Sequence, residues 1–282
     1  MKAFLKPFVV VGLLLLAATT SAQDKNLYIF LCFGQSNMDG FPAPVDEKDK
    51  VGVDERFQVL AAIDFPEIGR KKDNWYTAVP PLFRPGNGLS PIDYFGRTLV
   101  ANLPADIKVG VVPVAVPGCK IELFDLAAYQ AYAEVAPGWM KNYIATYGGN
   151  PYSYLVERAR EAQKAGVIKG ILLHQGESNT DDREWPNKVK AIYESLLKDL
   201  GLKAEDVPLL AGEVVAADQK GACAPMNRII ATLPKTIPTA HIVSAAGCTS
   251  RPPDNLHFDL EGYRELGRRY AATMLPLLSE KP

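Results

Sequence analysis

The sequence predicts an α/β fold in which helices cover both faces of a five-stranded parallel sheet. Five short and mostly continuous apolar runs are typical of strands that are buried on both faces. Segments with helical spacing lie between these runs, and this alternation favours a parallel sheet. Ligands bind beyond the carboxyl ends of the strands in such sheets, so the residues that follow each strand are the first candidates for a site.

The predicted strands are residues 27–34, 109–117, 167–174, 207–214 and 241–246. The clearest helical pattern is a set of apolar residues on one face, Val189, Ile192, Tyr193, Leu196, Leu197 and Leu200. A second helix is predicted for residues 152–165, with Gly166 as its C-cap, and a last one for about 260–278.

Residues 41–88 are rich in Pro, Gly and charge and show only weak periodicity. Loops of this length in a compact domain are usually functional or disordered. Because the stretch directly follows the first strand, we expect it to form a rim over the site.

The composition excludes several functional classes. Hydrophobic residues make up 48% and charged residues 22%, which does not fit a disordered, collagen-like or coiled-coil chain. Lys and Arg total 31 against 32 Asp and Glu, so no basic excess is present to hold nucleic acid or anionic lipid. We expect no nucleic-acid partner, and the oligomeric state stays open.

The N-terminus has the parts of a secretory signal peptide. Lys2 and Lys6 precede an uncharged run over residues 7–18, and small residues precede a cleavage site. A transmembrane anchor is the alternative, but this run is too short to span ~30 Å of hydrocarbon. We predict a signal peptide at 1–22, a single domain over 23–282, and a periplasmic or secreted protein that does not contact the membrane after cleavage.

The sequence contains four cysteines, Cys32, Cys119, Cys223 and Cys248. Export permits disulfides, and three complete pairings are open. Cys223 and Cys248 follow the fourth and fifth predicted strands, so a bridge between them is geometrically reasonable. No two cysteines have C-x-x-C spacing and the three histidines are scattered, so we expect no metal site.

The first segment that can carry chemistry is Gly34-Gln35-Ser36-Asn37-Met38, where the first strand should turn into a helix. A serine there raises its hydroxyl above the sheet edge and directs its own N–H at an oxyanion. Met38 replaces the second glycine of a G-x-S-x-G elbow, which counts against an α/β-hydrolase. The alternative is that Ser36 only caps the helix.

The second segment is Asp254-Asn255-Leu256-His257, directly before the last helix. A nucleophilic serine needs a general base, and the base needs a partner that fixes its tautomer. Asp and His at i and i+3 on a helical turn are close enough for that contact. The alternative is a surface turn capped by Asp254.

The third segment, His174-Gln175-Gly176-Glu177-Ser178-Asn179, ends the third strand. An amide at a strand edge can donate a hydrogen bond to a developing oxyanion. Glu177 is either a second carboxylate near the base or a support for the loop.

Together the three segments resemble the SGNH hydrolase superfamily. They are most similar to carbohydrate esterase family 6 and the related sialate O-acetylesterase domain, whose marks are a GQSNM block, an HQGE block and a late D-x-x-H. All three occur here in that order, from Gly34 to His257. The resemblance implies a three-layer α/β/α, flavodoxin-like fold and deacetylation of carbohydrate esters without a metal or another cofactor.

The resemblance implies a role for each matched residue. Ser36 is the expected nucleophile, His257 its base and Asp254 the orienting carboxylate, while Glu177 is left open as a second candidate for that third role. The mechanism would be a two-step acyl transfer in which water releases acetate from an acyl-enzyme.

The oxyanion hole is expected to consist of the N–H groups of Ser36 and Gly118 and the amide of Gln175. Gly118 matches the block that follows the second strand. Gln175 takes the place of the usual asparagine of the superfamily, and Asn179 is a weaker candidate.

Two residues depart from the family pattern. Asp39 stands where relatives often have a small residue and adds negative charge near the nucleophile. Cys119 lies beside the oxyanion block, where a disulfide to Cys32 would be either feasible or harmful.

We expect the substrate to be acetylated xylan or another acetylated polysaccharide, with sialate O-acetylesterase as the alternative. A non-catalytic polysaccharide-binding protein and a lipase or thioesterase are the other classes considered. Arg84 could contact a substrate carboxylate, although a solvated surface arginine is the simpler interpretation. Four aromatic residues in predicted loops could stack on sugar rings: Trp75, Tyr76, Trp139 and Trp185.

Overall fold

A seven-stranded sheet forms the centre of the protein in this computed structural model, which describes residue 1, residues 23–41 and residues 43–279. Its strands are β1 (Asp24–Gly34), β2 (Phe57–Leu60), β3 (Trp75–Thr77), β4 (Lys108–Ala115), β5 (Gly166–His174), β6 (Leu209–Gly212) and β7 (Ala240–Val243). Their order across the sheet is β3-β2-β4-β1-β5-β6-β7, and only the pair of β2 and β3 is antiparallel.

The α/β class and all five predicted strands are confirmed, but the predicted count of five strands is wrong. The two additional strands, β2 and β3, have four and three residues and lie inside the stretch 41–88 that the sequence predicts as a loop. Runs this short show no periodicity of their own; β2 becomes a strand by pairing with β4, and β3 by pairing with β2.

The predicted strands follow the order 2-1-3-4-5 across the sheet, as in flavodoxin-like folds. At the end of the central strand β1, Gly34 pairs with Ala115 of β4 on one side and with His174 of β5 on the other. The carboxyl ends of these three strands therefore lie at the same level, and the segments that follow them meet at one edge.

Helices cover both faces of the sheet. They are α1 (Ser36–Asp39), α2 (Glu47–Lys50), α3 (Pro91–Asn102), α4 (Tyr129–Val135), α5 (Gly138–Thr146), α6 (Pro151–Gln163), α7 (Trp185–Leu200), α8 (Asn227–Ile230), α9 (Leu233–Thr236) and α10 (Leu260–Ser279). Along β1, Ile29 and Leu31 are buried in a core shared with α6 and α7, whereas Phe30 and Cys32 are buried in a core shared with α3 and α10. This alternation along one strand produces the three layers.

The predicted helices are present as α6, α7 and α10, with small shifts at their ends. Gly166 is not a C-cap as predicted: α6 ends at Gln163 and Gly166 begins β5. The predicted signal peptide at 1–22 lies, apart from residue 1, outside the described residues.

The four cysteines, all within the described ranges, are unpaired, so the structure contains neither the Cys223–Cys248 nor the Cys32–Cys119 bridge. No helix in the described part of the chain is long and apolar enough to cross a membrane. The same part holds no group of three or more His, Cys, Asp or Glu side chains arranged to bind a metal ion.

Candidate active site

The turn after β1 fixes Ser36 at the carboxyl edge of the sheet. Gly34 has a φ of +150°, and a Cβ there would lie 2.1 Å from the backbone oxygen of His174 on β5, so only glycine fits. Gln35 is extended, and Ser36 begins α1 with a side chain that is almost completely buried. The pairing of β1 with β5 therefore determines where the hydroxyl of Ser36 lies.

The ring of His257 joins Ser36 to Asp254. Its Nε2 lies 3.0 Å from Ser36 Oγ, and its Nδ1 lies 3.0 Å from Asp254 Oδ2. The segment is an irregular loop with Asn255 in the left-handed region (φ 47°), and not the helical turn that the sequence predicts. The structure nevertheless brings the three predicted side chains into one hydrogen-bonded line across 221 positions of sequence.

Asp254 is held by its own loop as well as by the ring. Its Oδ1 accepts from the backbone N–H of Leu256 at 2.9 Å and from that of His257 at 3.2 Å. Partial burial raises the pKa of Asp254, but the hydrogen bonds from the His257 ring and from these two N–H groups outweigh it, so the pKa lies below its usual 3.8. Asp254 is therefore ionised at neutral pH.

Two residues that line the cavity, Ser36 and Gly118, have backbone N–H groups without an acceptor among the described residues. Gly118 has a φ of +67°, and a Cβ there would lie 2.8 Å from the ring of Trp139. Ser178 Oγ donates to the Gly118 carbonyl at 2.9 Å and ties this loop to the segment after β5. Unpaired N–H groups beside a nucleophile are the donors that an oxyanion needs.

The cavity in front of Ser36 has a volume of about 640 Å³, within the range of small-molecule sites. Its apolar wall consists of Phe41, Pro117, Trp139, Tyr143 and Leu256. Its polar side chains are Gln35, Ser36, Glu177, Ser178 and His257, and Cys223 lines it as well. No lysine or arginine is among the described residues that line it.

A serine, a histidine and a carboxylate in line, next to unpaired N–H groups, form the arrangement that serine esterases use. Residues 26–276 match the model of the family described as "carbohydrate esterase, sialic acid-specific acetylesterase". The chain belongs to this carbohydrate esterase family. The resemblance that the three sequence segments indicate is thereby confirmed, and with it carbohydrate acetylesterase as the general class.

Solved structures share the fold of this esterase at low sequence identity. A protein from Arabidopsis thaliana is 22% identical with a TM-score of 0.66, covering 90% of this chain and 99% of the other. NanS is 18% identical with a TM-score of 0.65, covering 93% and 100%. A carbohydrate acetylesterase from Xanthomonas citri is 18% identical with a TM-score of 0.61, covering 90% of this chain and 57% of the other. These likenesses show the fold.

Asn37, to which the sequence assigns no role, connects the parts of the esterase site. Its Nδ2 donates to Glu177 Oε1 and to the carbonyl of Leu256 at 3.0 Å. Its Oδ1 accepts from Tyr263 Oη at 2.8 Å and from the N–H of Phe258 at 3.3 Å. The buried amide thus holds the loop that carries His257 against the helix that carries Ser36.

Glu177 is a buried residue of the cavity wall and supports the site through other residues. It contacts Asn37 and lies with its Oε1 3.6 Å from His174 Nε2. Burial raises the pKa of Glu177, but the contacts with His174 and Asn37 outweigh it, so the pKa lies below its usual 4.5. Among the described carboxylates, Asp254 is the one that contacts His257 Nδ1.

Gln175 and Asn179 lie behind the site and do not line the cavity. The amide nitrogen of Gln175 donates to Asn179 Oδ1 at 2.7 Å, and its oxygen accepts from the indole of Trp185. Asn179 Nδ2 donates to Glu122 and Asp182. Both amides are occupied within the protein, and neither residue lines the cavity that Ser36 and Gly118 line.

Arg84 is not the solvated surface residue that the sequence favours. It is 5% exposed, and its guanidinium forms an ion pair with the buried Asp39 at 2.7 Å. It also lies 4.1 Å from the centre of the Tyr143 ring. The extra charge of Asp39 near the nucleophile is therefore matched by Arg84, a partner 45 positions away.

One of the four candidate aromatic residues lines the cavity. Trp139 is 52% exposed and forms part of the wall, together with Phe41, which the sequence does not single out. Trp185 is completely buried at the start of α7, and Trp75 and Tyr76 lie on the edge strand β3. The sequence misses Phe41 and Tyr143 because only the fold brings them beside Ser36.

Proposed function

We propose that this protein is a serine esterase that removes O-acetyl groups from carbohydrate through an acyl-enzyme on Ser36. The observation that carries the proposal is the line from Ser36 Oγ through His257 to Asp254, with both contacts at 3.0 Å. The line lies in the wall of a cavity with two unpaired backbone N–H groups, in a chain that belongs to a carbohydrate esterase family.

In the first step His257 Nε2 takes the proton of Ser36 while Oγ bonds to the acetyl carbonyl carbon. The carbonyl oxygen becomes an oxyanion and accepts from the N–H groups of Ser36 and Gly118. The bond to the sugar oxygen then breaks, and His257 gives its proton to that oxygen. Water repeats the sequence on the acetyl-serine and releases acetate.

Asp254 prepares the base for this step. As a carboxylate it accepts from Nδ1–H, which leaves the lone pair of Nε2 directed at Ser36. Its negative charge also stabilises the imidazolium that forms while Ser36 attacks.

The charges around the cavity favour a neutral sugar. The family description supports the alternative, a sialate O-acetylesterase. A sialic acid carries a carboxylate, however, and the charged group buried at this wall is the anionic Glu177. The guanidinium of Arg84 is paired with Asp39. Because desolvating an unpaired carboxylate is costly, we favour acetylated xylan or another neutral polysaccharide.

Acetate release from acetylated xylan and from O-acetylated sialic acid tests both parts of the proposal. We expect a higher kcat/KM on xylan, and a fall by a factor of about 10⁴ or more in kcat for Ser36→Ala. Ser178→Ala is the matched control, because Ser178 lines the same cavity but donates its hydrogen bond to a carbonyl instead of a histidine. The loss of kcat in this variant should stay below about tenfold. Full activity of Ser36→Ala refutes the mechanism, and faster release from sialic acid refutes the substrate assignment alone.

Two simple assays separate the other classes. Hydrolysis of 4-nitrophenyl acetate excludes a protein that only binds polysaccharide. A strong preference for octanoyl over acetyl esters would indicate a lipase or thioesterase and contradict the proposal.

A further inference from the structure

A second cavity, of about 400 Å³, adjoins the one in front of Ser36. Phe41 and Tyr143 line both cavities, so these two rings form a common wall between them. Phe41 is 38% exposed, so its ring is accessible to a ligand. A ligand larger than one sugar can therefore extend from the first cavity across this wall into the second.

The walls of the second cavity present hydrogen-bonding groups and aromatic surface. Asn142 and Thr146 are exposed and stand one turn apart on α5, on either side of Tyr143 in the sequence. Asp64 also lines the cavity and is exposed, and its Oδ1 accepts from the backbone N–H of Lys72 at 2.8 Å. Amides, hydroxyls and a carboxylate beside aromatic rings match the alternating hydroxyl and apolar surfaces of a sugar.

The charges of this cavity select a neutral ligand. Arg84 lines it, but its positive charge is neutralised by the ion pair with Asp39. Asp64 remains as an exposed negative charge and repels carboxylates. The guanidinium instead stacks on the ring of Tyr143, 4.1 Å from its centre, and holds the common wall in place.

We propose that the second cavity is a subsite for the neutral sugar unit next to the acetylated one, so that the esterase acts on chains in preference to single sugars. The proposal rests on the proposed function, since it takes the acetylated unit to lie before Ser36. It adds the size of the substrate and the residues that select it.

The test measures kcat/KM for mono-acetylated xylo-, manno- and β-gluco-oligosaccharides of one to four units, relative to 4-nitrophenyl acetate. In at least one series we expect a rise of about tenfold or more from one unit to two, as a filled subsite would give. Asn142→Ala and Thr146→Ala should each reduce that rise to less than about threefold. Lys141→Ala is the matched control, because Lys141 is exposed on the same helix and donates to the carbonyl of Glu134 away from the cavity; it should keep the rise.

The absence of a rise in all three series overturns the subsite, as does a rise that both variants keep. Either result can occur while the wild type hydrolyses 4-nitrophenyl acetate and Ser36→Ala does not, so the proposed function would still stand. If the wild type hydrolyses none of the esters, the proposed function itself fails.

Discussion

Replacement of Asp254 by alanine removes the carboxylate at His257 Nδ1 and tests how much that charge contributes to the proposed reaction. The change leaves Ser36 and the unpaired N–H groups in place. It deletes the contact of 3.0 Å to Nδ1 and two hydrogen bonds to the backbone of the same loop.

The size of the effect follows from the exposure of Asp254. Charges on the carboxylate and on an imidazolium roughly 4 Å apart attract by ~4 kcal/mol at an effective dielectric of 20 and by ~1 kcal/mol in water. Because the side chain of Asp254 is 39% exposed, we expect an intermediate value of about 2 to 3 kcal/mol. At ~1.36 kcal/mol per tenfold change, kcat should fall by about 30- to 160-fold.

Asp254→Asn should reduce kcat further than Asp254→Ala. Its Oδ1 can still accept from the loop N–H groups, but its amide nitrogen would then donate to Nδ1 and leave the proton of the ring on Nε2, facing Ser36. In that tautomer the ring cannot accept the proton of Ser36, and the loss should approach 10⁴-fold, on the order of that seen in buried triads.

The assay is kcat for an acetyl ester at saturating concentration. Asp24→Ala serves as the control. Asp24 Oδ1 likewise accepts from the backbone N–H two residues later, that of Asn26, but Asp24 lies at the other end of β1. The kcat of this variant should stay within about twofold of the wild type. If Asp254→Ala loses less than threefold, or as much as Asp254→Asn, the account of Asp254 is refuted.

Two further predictions concern buried polar groups. Asn37→Ala removes four hydrogen bonds of a fully buried amide. It should lower the free energy of unfolding, measured by urea denaturation, by about 3 to 5 kcal/mol. A loss below about 1 kcal/mol contradicts the role of Asn37. Burial raises the pKa of Asp93 to about 7, so from its usual 3.8 up to that pH the folded protein binds a proton that the unfolded chain has released. The contribution of Asp93 to stability therefore falls as the pH rises through this range. In thermal melts, Asp93→Asn should gain stability relative to the wild type as the pH rises from 5 to 8. If the difference in melting temperature between the two proteins stays the same over this range, Asp93 is ionised throughout.

The centre of the sheet could be predicted because its strands are long and buried on both faces, which leaves continuous apolar runs in the sequence. The short strands β2 and β3 could not, because three or four residues acquire their conformation from the neighbouring strand. Helix α3 could have been predicted from the residues at its start, although the spacing of its apolar residues does not indicate it. Ser90 caps it, Pro91 is its first residue and Asp93 completes a capping box, which together mark a helix start.

The line of Ser36, His257 and Asp254 could be predicted from short motifs, because each motif ends or follows a strand at the same edge. The position of Gln175 could not, since the sequence does not show that Asn179 and Trp185 occupy its amide. The pairing of Arg84 with Asp39 is equally invisible, because it depends on how residues 43–88 fold back over α1. Local motifs therefore indicate the reacting groups, while the tertiary structure decides what surrounds them.

The most direct test is to identify the nucleophile with diethyl 4-nitrophenyl phosphate, which forms a stable adduct with an activated serine. Peptide mapping by mass spectrometry should show a single adduct per chain, on Ser36, formed in parallel with the loss of esterase activity and absent from Ser36→Ala. An adduct on Ser178 or Cys223 that abolishes activity, or full activity in the labelled protein, would contradict the account.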